Sequence, residues 1–205
     1  MSEPEVIGEC SKGFVVSKPS GWHTVSGRGE PAVEAWIEKN YPDQIHIPEC
    51  GLVHRLDQGT SGCLLVANSM ESSERLQDGM RDGTIHKRYV AMVVGKVEGR
   101  GWFDRYFTSR YKRSKKITVS ESGIKKHKGS CTYTVLDRTR NHSLLEVKVL
   151  GPGRRHQVRA GLACIGFPLV GDTLYGGEDA DRLMLHASRL SNAEFTFEIP
   201  PPFGF

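Results

Sequence analysis

Apolar and polar positions along this chain fall on two periods, and the elements they predict come in a mixed order. Phe14-Val15-Val16 is a short apolar run ending at Lys18-Pro19-Ser20-Gly21, which predicts a strand entering a turn. Pro31 to Asn40 begins with proline and places Val33, Trp36 and Ile37 on one face, which predicts a helix. Cys63 to Ala67 is continuously apolar and short, the pattern of a buried strand, while the polar stretch Met70 to Met80 predicts a surface helix. Tyr89 to Val94 and Tyr133 to Leu136 predict strands, and Leu145, Val147 and Val149 alternate with Glu146 and Lys148 as a half-buried strand requires. His156 to Ile165 keeps Val158, Leu162 and Ile165 on one helical face. Leu183 to Leu190 and Glu194 to Ile199 predict late strands, stopped by Pro200-Pro201-Pro202. Strands outnumber helices and the spacings are those of hairpins, so the expected class is mixed α+β rather than a βαβ repeat.

Composition narrows the organisation more than the function. With 205 residues, 38% of them hydrophobic, and no Pro/Gly/Ser-rich linker or charge block, the chain is expected to form one domain over residues 1–205. A net charge of +4 leans towards an acidic partner such as RNA. Its distribution says more. From Arg105 to Lys128, the bases Arg105, Arg110, Lys112, Arg113, Lys115, Lys116, Lys125, Lys126 and Lys128 face only Glu121, with Tyr106, Phe107 and Tyr111 interleaved. Standing alone, such a run reads as a pair of solvated loops. The cysteines Cys10, Cys50, Cys63, Cys131 and Cys164 are scattered and odd in number, which argues against a disulfide framework or a zinc knuckle. The first residues, Met1-Ser2-Glu3-Pro4-Glu5, lack the basic-then-apolar order of a signal peptide, and no run has the length of a membrane span. A reduced cytoplasmic protein is expected.

Candidate chemistry concentrates in Gly51-Leu52-Val53-His54-Arg55-Leu56-Asp57-Gln58-Gly59-Thr60-Ser61-Gly62, which runs straight into the apolar stretch from Cys63. An aspartate in a glycine-rich loop is ordinarily a turn or cap residue. Here small neighbours admit a bulky substrate close to the acid, and Arg55 supplies a cation for phosphate or a base edge. A serine hydrolase is set aside because Gly59-Thr60-Ser61-Gly62 lacks the Gly-x-Ser-x-Gly spacing of a nucleophile elbow. A metal site on His54, Asp57 and His156 lacks further ligands at suitable spacing.

The His-Arg-Leu-Asp and Thr-Ser-Gly string resembles the catalytic motif of the RluA-type pseudouridine synthases. A second signature agrees: Gly153-Arg154-Arg155-His156-Gln157-Val158-Arg159, followed by Gly171-Asp172 and Tyr175-Gly176, is close to that family's Gly-Arg-x-His-Gln-Ile-Arg and Gly-Asp-x-x-Tyr-Gly. Lys18-Pro19-Ser20-Gly21, Lys87-Arg88-Tyr89-Val90-Ala91 and Leu183-Met184-Leu185-His186-Ala187 are weaker matches in the family's order. Five motifs in fixed order are not chance.

The resemblance implies a pseudouridine synthase fold, a mostly antiparallel mixed sheet with a central cleft flanked by helices and loops, without the separate S4-type RNA-binding module of some relatives. It implies isomerisation of a uridine in structured RNA, a ribosomal or transfer RNA stem-loop, by a monomer that needs neither cofactor nor metal. Asp57 matches the catalytic aspartate, Arg159 the arginine paired with it, and Tyr89 the tyrosine that stacks on the uracil. Arg55 matches the residue that helps hold the target nucleotide out of its stack. His54, Arg154 and Val158 are further substrate-side candidates. Beside such a motif the basic run, with Lys112, Arg113, Lys115 and Lys116 at its centre, is expected to grip RNA phosphates.

Two positions depart from the family's pattern. Arg155 stands where a small hydroxyl residue is usual, and Gly161 where a second histidine is common. A catalytically silent RNA-binding or assembly factor with the same fold is the rival from another class; retention of Asp57, Tyr89 and Arg159 together argues against it. An N-glycosidase that releases the base is the rival within enzymes, separated by its product.

Overall fold

A computed structural model describes residues 2–27, 31–111 and 114–204; Lys112 and Arg113 therefore lie outside the described residues. In chain order the regular elements are β1 (Glu5–Cys10), β2 (Gly13–Lys18), α1 (Val33–Asn40), β3 (Ser61–Ala67), α2 (Met70–Asp82), β4 (His86–Val94), β5 (Arg100–Ser109), β6 (Ile117–Ser120), β7 (Lys128–Arg138), β8 (His142–Leu150), α3 (Gln157–Cys164), β9 (Leu185–Ser191) and β10 (Thr196–Glu198). The chain forms two compact units: Met1–Lys87 with His186–Pro201, and Arg88–Leu185 with Pro202–Phe205.

In the first unit β1 and β2 make a hairpin, Cys10 opposite Gly13, and β2 runs antiparallel to β3 from Gly13 opposite Ala67 to Lys18 opposite Gly62. β3 then pairs in parallel with β9, Ser61 beside His186 and Gly62 beside Ala187, and β10 closes antiparallel on β9. β3 is buried at every position, as its unbroken apolar run requires. One of its faces packs with Val15 and Leu190 against Leu76 and Met80 of α2. The opposite face of the sheet carries Phe14 of β2, whose ring lies 5.1 Å from that of Tyr41 just beyond α1. α2 begins where Ser69 accepts the Ser72 amide at 3.1 Å and ends at Asp82, two residues beyond the predicted Met80, with Gly83 after it in the left-handed conformation.

The second unit orders its strands β4-β8-β7-β5-β6. β5 is antiparallel to both β6 and β7, and β7 to β8. Phe103, Cys131, Leu145, Val147 and Val149 line one face of these strands and pack against Val158, Ala160 and Leu162 of α3. Gly161, on the packed side of α3, is where the ring of Phe103 rests: a Cβ there would lie 2.3 Å from Phe103 Cε2 and 2.4 Å from Cζ. The mostly antiparallel, mixed α+β class is the one the hydrophobic pattern implies.

Three strands were not legible as such in the sequence. β1 lies at the end of the first unit's strand order and buries no complete face, so it carries no clean alternation. β5 and β6 lie largely within the basic stretch read as two solvated loops. For the stretch as a whole that reading does not hold: Phe107 of β5 and Ile117 of β6 are buried, while Arg110, Lys115 and Lys116 lie between the two strands and are exposed. Outside the strands there lie Arg110 and Tyr111, and the short 3-10 turn Lys125–His127. Among the described residues no helix is long and apolar enough to cross a membrane.

Candidate active site

The loop that carries Asp57 is tied at nearly every peptide. Val53 donates its amide to Leu65 O at 3.2 Å, and the Leu65 amide donates to His54 Nε2 at 3.0 Å. Thr60 N donates to Asp57 O at 3.0 Å, closing a turn on the acid itself. Gln58 O accepts from Gly21 N at 2.9 Å and from Lys18 Nζ at 3.1 Å, and Gly59 O accepts from Ser20 Oγ at 2.8 Å. Thr24 holds Leu56 through its hydroxyl.

Lys18 explains why a lysine belongs in the Lys-Pro-Ser-Gly turn. It is fully buried, and its ammonium also donates to Pro19 O at 3.0 Å and Trp22 O at 2.6 Å. A buried ammonium without acceptors is strongly disfavoured; here three carbonyls surround it and draw the turn and the Asp57 loop together. Asp57 and His54 are half-buried and Arg55 is exposed. Burial, with the positive charge of Lys87 as a second cause, pushes the His54 pKa down to about 3. The ring is therefore neutral, and because Nε2 accepts from Leu65 its proton sits on Nδ1.

The loop ends in a buried serine–histidine contact. Ser61 Oγ lies 2.8 Å from His186 Nδ1, and His186 Nε2 lies 3.1 Å from Ile199 O. A carbonyl can only accept, so Nε2 carries a proton, and in the neutral ring Nδ1 then accepts from the serine. With Ser61 4% and His186 2% exposed, the pair joins β3 to β9 and is closed to a substrate.

In the second unit the other signature wraps the start of α3. His156 takes a left-handed conformation (φ 54°) immediately before the helix, and its Nδ1 is 2.8 Å from the Tyr175 hydroxyl. Gln157 folds back so that its Oε1 accepts the Arg154 amide at 2.8 Å while its Nε2 donates to Ser130 O at 3.0 Å. Arg159 makes a two-pronged ion pair with buried Asp172, Nε to Oδ2 at 2.7 Å and Nη2 to Oδ1 at 2.9 Å. Its guanidinium and the Lys116 ammonium each lie 5.4 Å from the centre of the Tyr175 ring. Ile117 N donates to the hydroxyl of that tyrosine at 2.8 Å.

The candidates thus fall into groups. His54, Arg55 and Asp57 share one loop of the first unit. In the second, Arg154, Val158 and Arg159 share the start of α3. Val158 packs within the core cluster, and half-buried Tyr89 of β4 packs against that cluster. Arg154 Nε is bound to Lys128 O at 2.8 Å. Lys115 is exposed, and the carbonyls of Ser114 and Lys115 are held by Arg155, at 2.8 and 3.2 Å. The residue at the first departure from the family pattern therefore braces the basic segment. Within that segment Lys128 pairs with Asp104 at 2.6 Å, which holds the carboxyl of Asp104 below the usual carboxylate range, and Lys125 and Lys126 are exposed.

Sequence reasoning left Asp172 without a role and Thr24 unnoticed. The first had a signal, the Gly-Asp-x-x-Tyr-Gly spacing; the second had none. Among the described residues no three His, Cys, Asp or Glu side chains converge as a metal-ion site.

Comparison with known proteins gives matches over most of the chain. The family described as RNA pseudouridylate synthase matches residues 12–163. A Pseudomonas aeruginosa protein named ribosomal large subunit pseudouridine synthase D is 32% identical over 177 residues, covering 85% of this chain and 54% of that protein, so the chain spans about half the length of that relative. A Vibrio cholerae protein of the same name is 29% identical over 221 residues, 96% of this chain and 67% of the relative. Two solved human structures share the fold. RNA pseudouridylate synthase domain containing 4 has a TM-score of 0.76 at 20% identity, covering 96% of this chain and 88% of that one. Domain containing 1 has a TM-score of 0.74 at 23% identity, covering 98% and 84%.

Proposed function

The chain belongs to the RNA pseudouridylate synthase family, and from that premise we propose that it isomerises a uridine in a stem-loop of bacterial ribosomal or transfer RNA to pseudouridine, with Asp57 as the reacting carboxylate. The reaction breaks the bond from C1′ of the ribose to N1 of uracil, turns the base, and forms the bond from C1′ to C5. The proton on C5 leaves to solvent and N1 gains one, so atoms balance without an oxidant or reductant.

The observation that carries this reading is the fastening of the Asp57 loop. Backbone and buried side chains hold its carbonyls from Leu56 to Gly59, which leaves a half-buried carboxylate on a rigid loop with an exposed arginine. A group that must meet a reacting atom within a fraction of an ångström needs such support. Unstacking the target uridine costs a few kcal/mol, and Arg55 supplies the compensating contact. Tyr89 offers its ring to the uracil and Arg159 the cation of the site, while Lys115, Lys116, Lys112 and Arg113 with their basic neighbours follow the RNA backbone. The whole chain acts as one catalytic domain, a cytoplasmic monomer without cofactor.

Asp57→Asn tests the charge while keeping the shape. With RNA carrying tritium on C5 of uridine, release by the variant should fall at least about 1000-fold, some 4 kcal/mol of barrier, while RNA affinity stays within about twofold of wild type. Release at the wild-type rate would overturn Asp57 as the reacting group. Pseudouridine maps of cellular RNA with and without the gene would name the substrate.

A further inference from the structure

Thr24 is 4% exposed and makes two hydrogen bonds to one residue. Its Oγ1 accepts from Leu56 N at 3.1 Å and donates to Leu56 O at 2.8 Å. Leu56 precedes Asp57. Its carbonyl belongs to the peptide plane whose nitrogen is that of Asp57, so the hydroxyl fixes the plane on the near side of the Asp57 Cα. The plane on the far side is fixed by Thr60 N on Asp57 O at 3.0 Å. Peptide units are planar, and with both flanking planes held the two soft torsions of Asp57, and the direction of its Cα–Cβ bond, are set.

Thr24 is itself anchored. Its carbonyl accepts from Glu34 N at 3.1 Å, that of His23 accepts from Val33 N at 2.9 Å, and His23 N donates to Pro31 O at 2.8 Å. α1 has no side-chain cap; these carbonyls satisfy the free amides of its first turn. The chain of contacts runs from the start of α1 through the backbone of residues 23 and 24 to one hydroxyl, and from there to the peptide before Asp57.

We propose that Thr24 is a positioning residue of the reaction: its hydroxyl aims the carboxylate of Asp57 by clamping the Leu56 peptide groups to α1. The inference rests on Asp57 being the reacting group. Only a hydroxyl on Cβ supplies both a donor and an acceptor at this distance, so serine can replace threonine. Valine matches its shape but leaves a buried amide and carbonyl unpaired.

The experiment compares Thr24→Val, Thr24→Ala and Thr24→Ser in the full chain. Single-turnover rate on saturating tritiated RNA, RNA affinity, and hydrogen exchange at the Leu56 amide are measured on the same preparations. The expected result for Val is a rate about 100-fold lower, affinity within twofold, and Leu56 exchange at least about tenfold faster. Ala, whose space admits a water, should show the same changes in smaller degree, and it decides the question if the Val variant does not fold. Ser should restore rate and protection to within about threefold. A wild-type rate in the Val or Ala variant, loss of affinity in step with the loss of rate, or failure of Ser to restore either quantity overturns the proposal. If the wild-type protein acts on no RNA, the enzymatic reading fails on its own, and Leu56 exchange unchanged by Val or Ala still overturns the clamp.

Discussion

Asp57 and Arg159 are held by opposite means. Around Asp57, in the first unit, the restraints end on main-chain carbonyls and amides, supplied by Thr24, Ser20, Gly21 and Lys18. Around Arg159, in the second, they end on formal charge and π-faces: the carboxylate of Asp172 and the ring of Tyr175. An acid loop fastened through its peptides responds to changes of shape. A guanidinium fastened by a carboxylate responds to changes of charge. The two surroundings should fail under different perturbations.

The largest effect should come from removing charge in the second unit. Asp172→Ala removes the two-pronged carboxylate partner of a mostly buried guanidinium, and breaking a buried pair of this kind costs about 3–5 kcal/mol. Urea unfolding measures it, and a loss below about 1 kcal/mol would mean that the charge is not what holds Arg159. Next comes shape in the first unit. Gly62 has φ +115°, and a Cβ there would lie 2.3 Å from the Ala187 carbonyl oxygen of β9, so Gly62→Ala should lose about 3 kcal/mol. That loss should be the same in low and high salt; a strong salt dependence would blur the contrast.

A smaller effect is set by pH. The His54 ring takes up its proton at about 3 in the folded chain and near its ordinary 6.5 when unfolded. Between those values the unfolded chain binds more protons. This contribution is whole above pH 6.5 and is lost at up to about 1.4 kcal/mol per pH unit as pH falls towards 3. His54→Gln should flatten that slope between pH 6 and 4, and parallel slopes would exclude His54 as its source. The smallest effect per residue belongs to the exposed cations. Replacing Lys115, Lys116, Lys125 and Lys126 with Ala should reduce the salt dependence of RNA binding by about 0.7 to 0.9 per lost phosphate contact, read from affinity against log salt.

What the sequence disclosed follows from the range of each interaction. β3, β8 and α3 were legible because their apolar positions repeat over neighbouring residues, and α2 because its run of polar residues suits a solvated helix; both are local signals. β5 and β6 were hidden because Phe107 and Ile117 stand in a stretch with so many charges that it reads as solvated, although those two side chains are buried. Asp57, Tyr89 and Arg159 are candidates as residue types within motifs, a reading of chemistry rather than of contacts. The Thr24 clamp could not be found that way. It joins positions 32 residues apart through one hydroxyl, and no periodicity or spacing records such a bond. Asp172 lies between these cases, visible in a motif but with its partner set only by the turn that follows α3.

The contact between Phe103 and Gly161 bears on the history open to this sequence. Phe103 is 1% exposed, and a Cβ at 161 would lie 2.3 and 2.4 Å from the Cε2 and Cζ atoms of its ring, so one of the two must shift. A lineage in which position 161 carried a histidine could not have reached the present pair by changing position 103 first, because the phenylalanine would meet an occupied space. The glycine, or another loss of volume at 161, had to come before the ring. Positions 103 and 161 therefore form a one-way gate, and a designer who wishes to install a histidine at 161 must first replace Phe103 with a smaller residue.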